Sequence, residues 1–234
     1  MIPWLDHSLQ FPPLAQALRE PNGLLAAGGD LSPARLLLAY RQGIFPWFAP
    51  GEPILWWSPS PRMVLHTAEL HVPRSLQKVL RNRHYEVRLD TAFARVIAGC
   101  AAPRDEAGGS WITREMQAAY LALHQAGHAH CAECWIDGEL AGGLYGVAIG
   151  RMFYGESMYT SRPDASKIAF VHLVCWLRER GFAMIDCQMR THHLARFGAR
   201  EIPRNDFVAH LERACNVPGL PGPWCYTAGS GCDA

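Results

Sequence analysis

The pattern of apolar and polar residues changes character near residue 61. Upstream, the chain is punctuated by Pro, Gly and Trp. Gly28-Gly29-Asp30-Leu31-Ser32-Pro33 breaks the chain and then opens a helix. Ser32 suits the N-cap, Pro33 suits the first turn, and Gly43 closes the helix after Tyr40. The segment from Phe45-Pro46-Trp47-Phe48 through Trp56-Trp57-Ser58-Pro59 reads as irregular chain packed on a neighbour. Pro59 and Pro61 mark a boundary between a small N-terminal domain, 1–61, and a larger domain, 62–234.

Downstream the periods of strands and helices alternate. The pattern predicts a strand at 62–66, a helix from Pro73, a strand at 84–89 and a helix at 91–99. A polar, Gly-rich loop at 101–110 leads to a helix from Thr113 to about Ala126, ended by Gly127. Strands are expected at 129–136, 139–149 and 151–159. Their connections, Asp137-Gly138 and Gly150, are short enough to force antiparallel hairpins. A helix at 164–180 is apolar around most of its circumference and is expected to be buried. A strand at 183–189, a short helix at 191–197 and a helix at 205–215 follow, and from Pro218 the tail reads as loop. The fold class is α+β: a small N-terminal domain, then a mixed, mostly antiparallel sheet flanked by helices, as in the acetyltransferase (GNAT) type.

Composition narrows the function classes. Only 18% of the 234 residues are charged and the net charge is +1, so any nucleic-acid contact must come from a local patch. Lys78 and Lys167 are the only lysines among the 22 basic residues. The first residues lack a basic segment leading into an apolar run, and no stretch is long enough to span a bilayer, so the chain reads as cytoplasmic. The eight cysteines are scattered. Cys131 and Cys134 have the spacing of a metal knuckle, but three positions apart on a strand they face opposite ways. No metal site and no cofactor are expected. GxSxG, HExxH and the phosphate-binding P-loop pattern are all absent.

Three places could carry chemistry. In VPRSLQKVLRNR, Arg74, Lys78 and Arg81 form one stripe, opposite Leu76, Val79 and Leu80. An ordinary solvated face would look the same, but no acid in the helix balances the charge, so the stripe could follow phosphates. In Phe153-Tyr-Gly-Glu156-Ser-Met158-Tyr, a regular strand puts Glu156 and Met158 on one face, where the carboxylate needs an Arg partner or a role. In Ile185-Asp186-Cys187-Gln188-Met189, the strand period pairs Asp186 with Gln188 as a polar corner on an apolar strand. If the two strands meet, Glu156, Asp186 and Gln188 converge.

Several strings, taken together, resemble the leucyl/phenylalanyl-tRNA–protein transferases: PNGLLAAGGDLSPARLLLAYRQGIFPWF, ILWWSPSPR, WITREM, GGLYGV, FYGESMY, ASK, IDCQ and EIPRNDF. Their order and spacing agree from about residue 20 to 210. The resemblance implies an aminoacyltransferase that moves Leu or Phe, with Met as a further donor, from aminoacyl-tRNA to proteins bearing N-terminal Arg or Lys. That reaction would mark the acceptor for degradation through the N-degron pathway, with the enzyme acting as a monomer. It further implies Asp186, Gln188 and Glu156 as catalytic residues. On chemical grounds Asp186 would orient Gln188, the pair positioning the amine and taking or relaying its proton, while Glu156 would bind the cationic acceptor side chain or help place the amine. Trp47, Trp111, Leu144, Met158 and Leu173 would border the donor side chain and terminal adenosine, and Arg74, Lys78 and Arg81 would hold tRNA. Leu173 stands where some members carry an aromatic. Two rival readings are a non-catalytic tRNA-binding protein and an acyl-CoA-dependent N-acetyltransferase. The second needs a glycine-rich loop near residue 164, where the chain has Ser161-Arg162-Pro163-Asp164.

Overall fold

The computed structural model describes residues 2–102 and 111–229. The predicted loop at 101–110 therefore lies almost wholly outside the described residues.

In chain order the elements are β1 (Trp4–Leu5), β2 (Leu24–Gly28), α1 (Pro33–Arg41), β3 (Phe45–Pro46), β4 (Leu55–Trp57), β5 (Arg62–His66) and α2 (Arg74–Asn82). Then come β6 (Glu86–Leu89), α3 (Phe93–Ala101), α4 (Arg114–Gln125), β7 (Ala129–Ile136), β8 (Glu139–Ile149) and β9 (Met152–Thr160). The chain continues with α5 (Ala165–Glu179), β10 (Met184–Asp186), α6 (His192–Ala195), β11 (Arg200–Ile202), α7 (Arg204–Ala214) and β12 (Thr227–Gly229).

Among the described residues two sheets form. A small one has the order β1-β2-β4-β3, and a large one the order β11-β5-β10-β9-β8-β7-β6-β12. In the large sheet every pairing is antiparallel except β9 with β10. The segment from Phe45 to Pro59, expected to be irregular, thus contains two paired strands. The tail, expected to be loop, contributes β12 to the sheet edge. Both short pairings depend on a distant partner strand, which no local alternation announces.

Two apolar clusters sandwich the large sheet. One joins the small sheet, α1, α3, α4 and α7 to one face, through Tyr40, Trp56, Tyr120, Tyr145 and Phe207. The other joins α5 and the tail to the opposite face, through Phe153, Phe170, Leu173, Trp176 and Trp224. Residues Ala165–Leu177 of α5 bury every position except Lys167, as its all-round apolar pattern implied. Cys131 belongs to the first cluster and Cys134 to the second, on opposite faces as expected of positions three apart. The β7–β8 hairpin turns at Asp137 and Gly138 with φ of 55° and 77°, the left-handed pair that a tight two-residue turn requires. No helix among the described residues is long and apolar enough to cross a membrane.

Local capping fixes the helix starts. Ser32 and Thr113 accept N–H groups of α1 and α4 at 3.4 Å and 3.2 Å. The start of α3 has no such residue of its own. Glu133, fully buried on β7, accepts the Thr91 and Ala92 N–H groups at 2.7 Å and 2.6 Å instead. His130 is 1% exposed; it pairs with Asp90 at 2.7 Å and stacks on Trp224 of the tail. Glu133→Ala leaves the part-buried Thr91 and Ala92 N–H groups without their acceptor, and we expect it to lower unfolding free energy by about 1–2 kcal/mol in denaturant titration.

Candidate active site

A cleft opens where β9 and β10 part. Their parallel pairing runs only from Met152↔Met184 to Tyr154↔Asp186, and the residues after both ends line a cavity of about 1080 Å³. Glu156 and Met158 border it from one strand, Gln188 and Met189 from the other.

Glu156 points where it does because of a β-bulge. Tyr145 pairs with Ser157 but Gly146 pairs with Gly155, so Glu156 is the extra residue. Gly146 is required there, because a Cβ would lie 2.2 Å from the Tyr154 carbonyl. The inserted residue breaks the period of two, so the expectation that Glu156 and Met158 share a face fails. Glu156 meets Tyr40 and Tyr120 of the first cluster, whereas Met158 packs on the second. The Tyr40 and Tyr120 hydroxyls lie 2.8 Å and 2.9 Å from its carboxylate oxygens, and Gln188 Nε2 donates to Oε1 at 3.0 Å. Burial pushes the Glu156 carboxyl up to about 8, against the lowering effect of the two tyrosine bonds.

Asp186 and Gln188 come together, but not as neighbours on one strand face. β10 ends at Asp186, and Gln188 has φ of 60°, a left-handed conformation that a non-glycine residue rarely adopts. Two main-chain bonds hold it there. Its N–H donates to Asp186 Oδ1 at 2.8 Å, and its carbonyl accepts from Met63 N–H at 3.1 Å.

Asp186 is fully buried and paired with Arg62, which the sequence reading did not single out. Arg62 Nε and Nη2 donate to its two oxygens at 2.8 Å and 2.6 Å. Arg62 Nη1 also donates to the Gly43 carbonyl at 3.1 Å, and its guanidinium lies 4.7 Å from the ring centres of both Phe45 and Phe207. The signal available was general: a buried carboxylate needs a counter-charge, and Arg62 opens the otherwise apolar β5 segment MVL. Tyr40 and Tyr120 were missed because a tyrosine on a helix's inner face reads as core.

The remaining sequence candidates divide in two. Trp47, Trp111, Leu144, Met158 and Leu173 all line the cavity. Phe153, Phe170 and Ile185, not anticipated, extend its apolar wall. Trp47 and Met189 stand at its rim, 39% and 43% exposed. Arg74, Lys78 and Arg81 do not reach it. They are exposed on α2, which docks through Leu76, Val79 and Leu80. At the start of α5, Asp164 sits at φ of 65° with its carboxylate 2.7 Å from Lys167, in place of a glycine-rich loop. Among the described residues no group of three or more His, Cys, Asp or Glu could hold a metal ion.

The large sheet is mixed, mostly antiparallel and flanked by helices, an acetyltransferase-like fold, and its one parallel pair parts to open a pocket. Residues 64–212 match the leucyl/phenylalanyl-tRNA protein transferase family, and residues 29–60 match that family's N-terminal domain. The chain is 62% identical to the leucyl/phenylalanyl-tRNA–protein transferase of Laribacter hongkongensis, over 97% of each chain. It is 58% identical to that of an Azoarcus species, over 100% of this chain and 99% of the relative. The chain belongs to this family and is an aminoacyltransferase. Solved structures similar in outline include L-PGS from Bacillus licheniformis (14% identity, 68% of this chain and 52% of that one, TM-score 0.39). A GCN5-related N-acetyltransferase from Kribbella flavida is another (14% identity, 72% and 60%, TM-score 0.35).

Two stability outcomes follow from this geometry. Arg62→Ala leaves the Asp186 charge buried and unpaired, and we expect a loss of about 3–5 kcal/mol by denaturant titration. For Glu156, a pKa raised from 4.5 unfolded to about 8 folded means that the native state holds a proton the unfolded chain has lost. Its contribution is complete below pH 4.5 and declines as pH rises through about 8. Wild type should therefore lose stability relative to Glu156→Gln across that window, and equal pH dependence of the two midpoints would contradict it.

Proposed function

We propose that this protein transfers Leu or Phe from aminoacyl-tRNA to the α-amino group of proteins bearing an N-terminal Arg or Lys, within the N-degron route of protein degradation. One juxtaposition carries the reading. The parted strands put the Gln188 amide and the Glu156 carboxyl beside an apolar pocket formed by Leu144, Phe153, Met158, Phe170, Leu173 and Ile185.

The reaction is ester aminolysis. A free α-amine has a pKa of about 7.7–8.0, so part of it is already neutral near pH 7. Holding amine and ester together is then worth roughly 7–11 kcal/mol at best. Gln188, locked by Asp186 through its main-chain N–H, places the amine. The apolar pocket takes the donor side chain, and because a methylene in such a pocket is worth only about 1–3 kcal/mol, β-branched donors must be excluded by shape. Trp47 and Trp111 take the terminal adenosine, and the Arg74, Lys78 and Arg81 stripe of α2 takes tRNA phosphates. Residues 1–61 act as a small domain closing one side of the cleft.

The charge of the two carboxylates does not account for a cationic acceptor. Asp186 is neutralised by Arg62, and Glu156 is buried against tyrosine hydroxyls. The Arg or Lys preference rests on the family resemblance.

Mixing the protein with labelled Leu- or Phe-tRNA and a substrate bearing N-terminal Arg should transfer label, while an N-terminal Ala control should stay unlabelled. Absence of transfer with folded protein and intact charged tRNA would sink the proposal. Gln188→Ala spares the Arg62–Asp186 pair and should slow transfer by about 10²-fold through misplacement of the amine. Replacing Arg74, Lys78 and Arg81 by Ala should weaken tRNA binding and flatten its salt dependence by about one unit of log–log slope per lost phosphate contact. An unchanged slope would show that the stripe is only a solvated face.

A further inference from the structure

At the cleft a carboxyl group and two phenols close a triangle. The Tyr40 and Tyr120 oxygens lie 2.5 Å apart, and they lie 2.8 Å and 2.9 Å from Glu156 Oε1 and Oε2. Each contact is at hydrogen-bond distance and needs one proton between its oxygens. The two phenols supply two protons. With Glu156 ionised, both are drawn to the carboxylate, and the phenol oxygens face each other at 2.5 Å with lone pairs only. A third proton closes the ring. Oε2–H then donates to Tyr120, Tyr120 to Tyr40, and Tyr40 to Oε1, which also accepts from Gln188 Nε2 at 3.0 Å.

The surroundings agree with a neutral acid. The hydrogen-bond partners of Glu156 are Tyr40 on α1, Tyr120 on α4 and Gln188 after β10, and none is a cation. The other titratable groups facing it are Tyr145 on β8, Asp186 on β10 and Arg62 on β5. Arg62 is bonded to both oxygens of Asp186, so the two charges largely cancel at Glu156. Burial pushes this carboxyl up to about 8, in the same direction.

We propose that Glu156 enters the transfer reaction protonated and gives its proton to the departing ribose oxygen. This rests on the aminoacyl-transfer reading of the cleft. The amine lone pair forms the C–N bond to the ester carbonyl, and the C–O bond to ribose breaks. Its electron pair stays on the ribose oxygen, which takes the Glu156 proton. The surplus proton on nitrogen then passes to the carboxylate left behind, so no net proton is consumed. The two directions of the ring differ only in which carboxyl oxygen carries the proton. A proton taken from one oxygen can thus be replaced at the other without turning the side chain. A neutral Glu156 also has no charge with which to hold an acceptor's Arg or Lys.

Glu156→Gln separates this role from structure. The amide closes the same triangle, its NH₂ donating to one tyrosine and its carbonyl accepting from the other, but it has no proton to give. Three measurements are made: single-turnover transfer against pH, binding of an amide-linked aminoacyl-adenosine analogue, and the infrared band of a protonated carboxyl. The band is read as the difference between wild type and variant, both labelled with ¹³C-glutamate. We expect the variant to bind the analogue as wild type does, yet transfer about 10²–10⁴-fold more slowly. Wild type should lose rate as pH rises through about 8, and the variant's residual rate should lack that decline. The carboxyl band should be present in wild type at pH 7. A variant that transfers at the wild-type rate, or a wild type that transfers without the band, overturns the proposal alone. A wild type that carries the band but transfers nothing overturns the transfer reading, and this proposal with it.

Discussion

The cleft depends on one buried ion pair, Arg62 with Asp186. Both side chains are inaccessible to water, and removing two charges from water costs several kcal/mol each unless the geometry repays it. Here the geometry is bidentate, at 2.8 Å and 2.6 Å, and the guanidinium also lies against Phe45 and Phe207 and bonds the Gly43 carbonyl. One side chain therefore ties the small sheet, α7 and the end of β10 together. Asp186 has a second task, accepting the N–H of Gln188 and holding that residue in a left-handed conformation that costs about 1–3 kcal/mol. Asp186 is thus an anchor for Gln188, and its charge is paired with Arg62.

The second constraint is the loss of pairing beyond Tyr154 and Asp186. A continued parallel ladder would have filled the cavity with main chain. The bulge at Glu156 then divides the walls by chemistry. It sends the carboxyl to the tyrosine-bearing face, while Met158 and Leu144 keep the regular period and line the apolar face with Phe170 and Leu173. An ester needs both walls, an apolar one for its side chain and a polar one for the reacting atoms.

This division also marks how far the sequence could be read. Residues whose meaning lies in a local pattern were legible: Ser32 as a cap, Asp137-Gly138 as a hairpin, and α5 as a buried helix from its all-round apolar surface. Glu156, Asp186 and Gln188 were legible as polar residues in apolar surroundings. Their faces were not, because a strand period carried past a bulge or a strand end assigns the wrong side from that point on. Arg62 and Tyr40 escaped for a different reason. Their partners lie 124 and 116 residues away, and no local pattern announces a contact at that separation. The two-residue strand β3 and the edge strand β12 likewise exist through their partners more than through their own residues.

The electrostatic balance of the site is its last consequence. Arg62 and Asp186 cancel, and Glu156, with its proton, adds no charge. An α-ammonium drawn in against these groups loses water without gaining a counter-ion, and desolvation favours its neutral form. The neutral amine is the nucleophile that ester aminolysis requires. A site built around an exposed carboxylate would do the opposite, holding the amine protonated and unreactive. On this argument the neutrality of the cleft is part of its chemistry, and the buried Arg62 contributes by keeping Asp186 from acting as a counter-ion to the substrate.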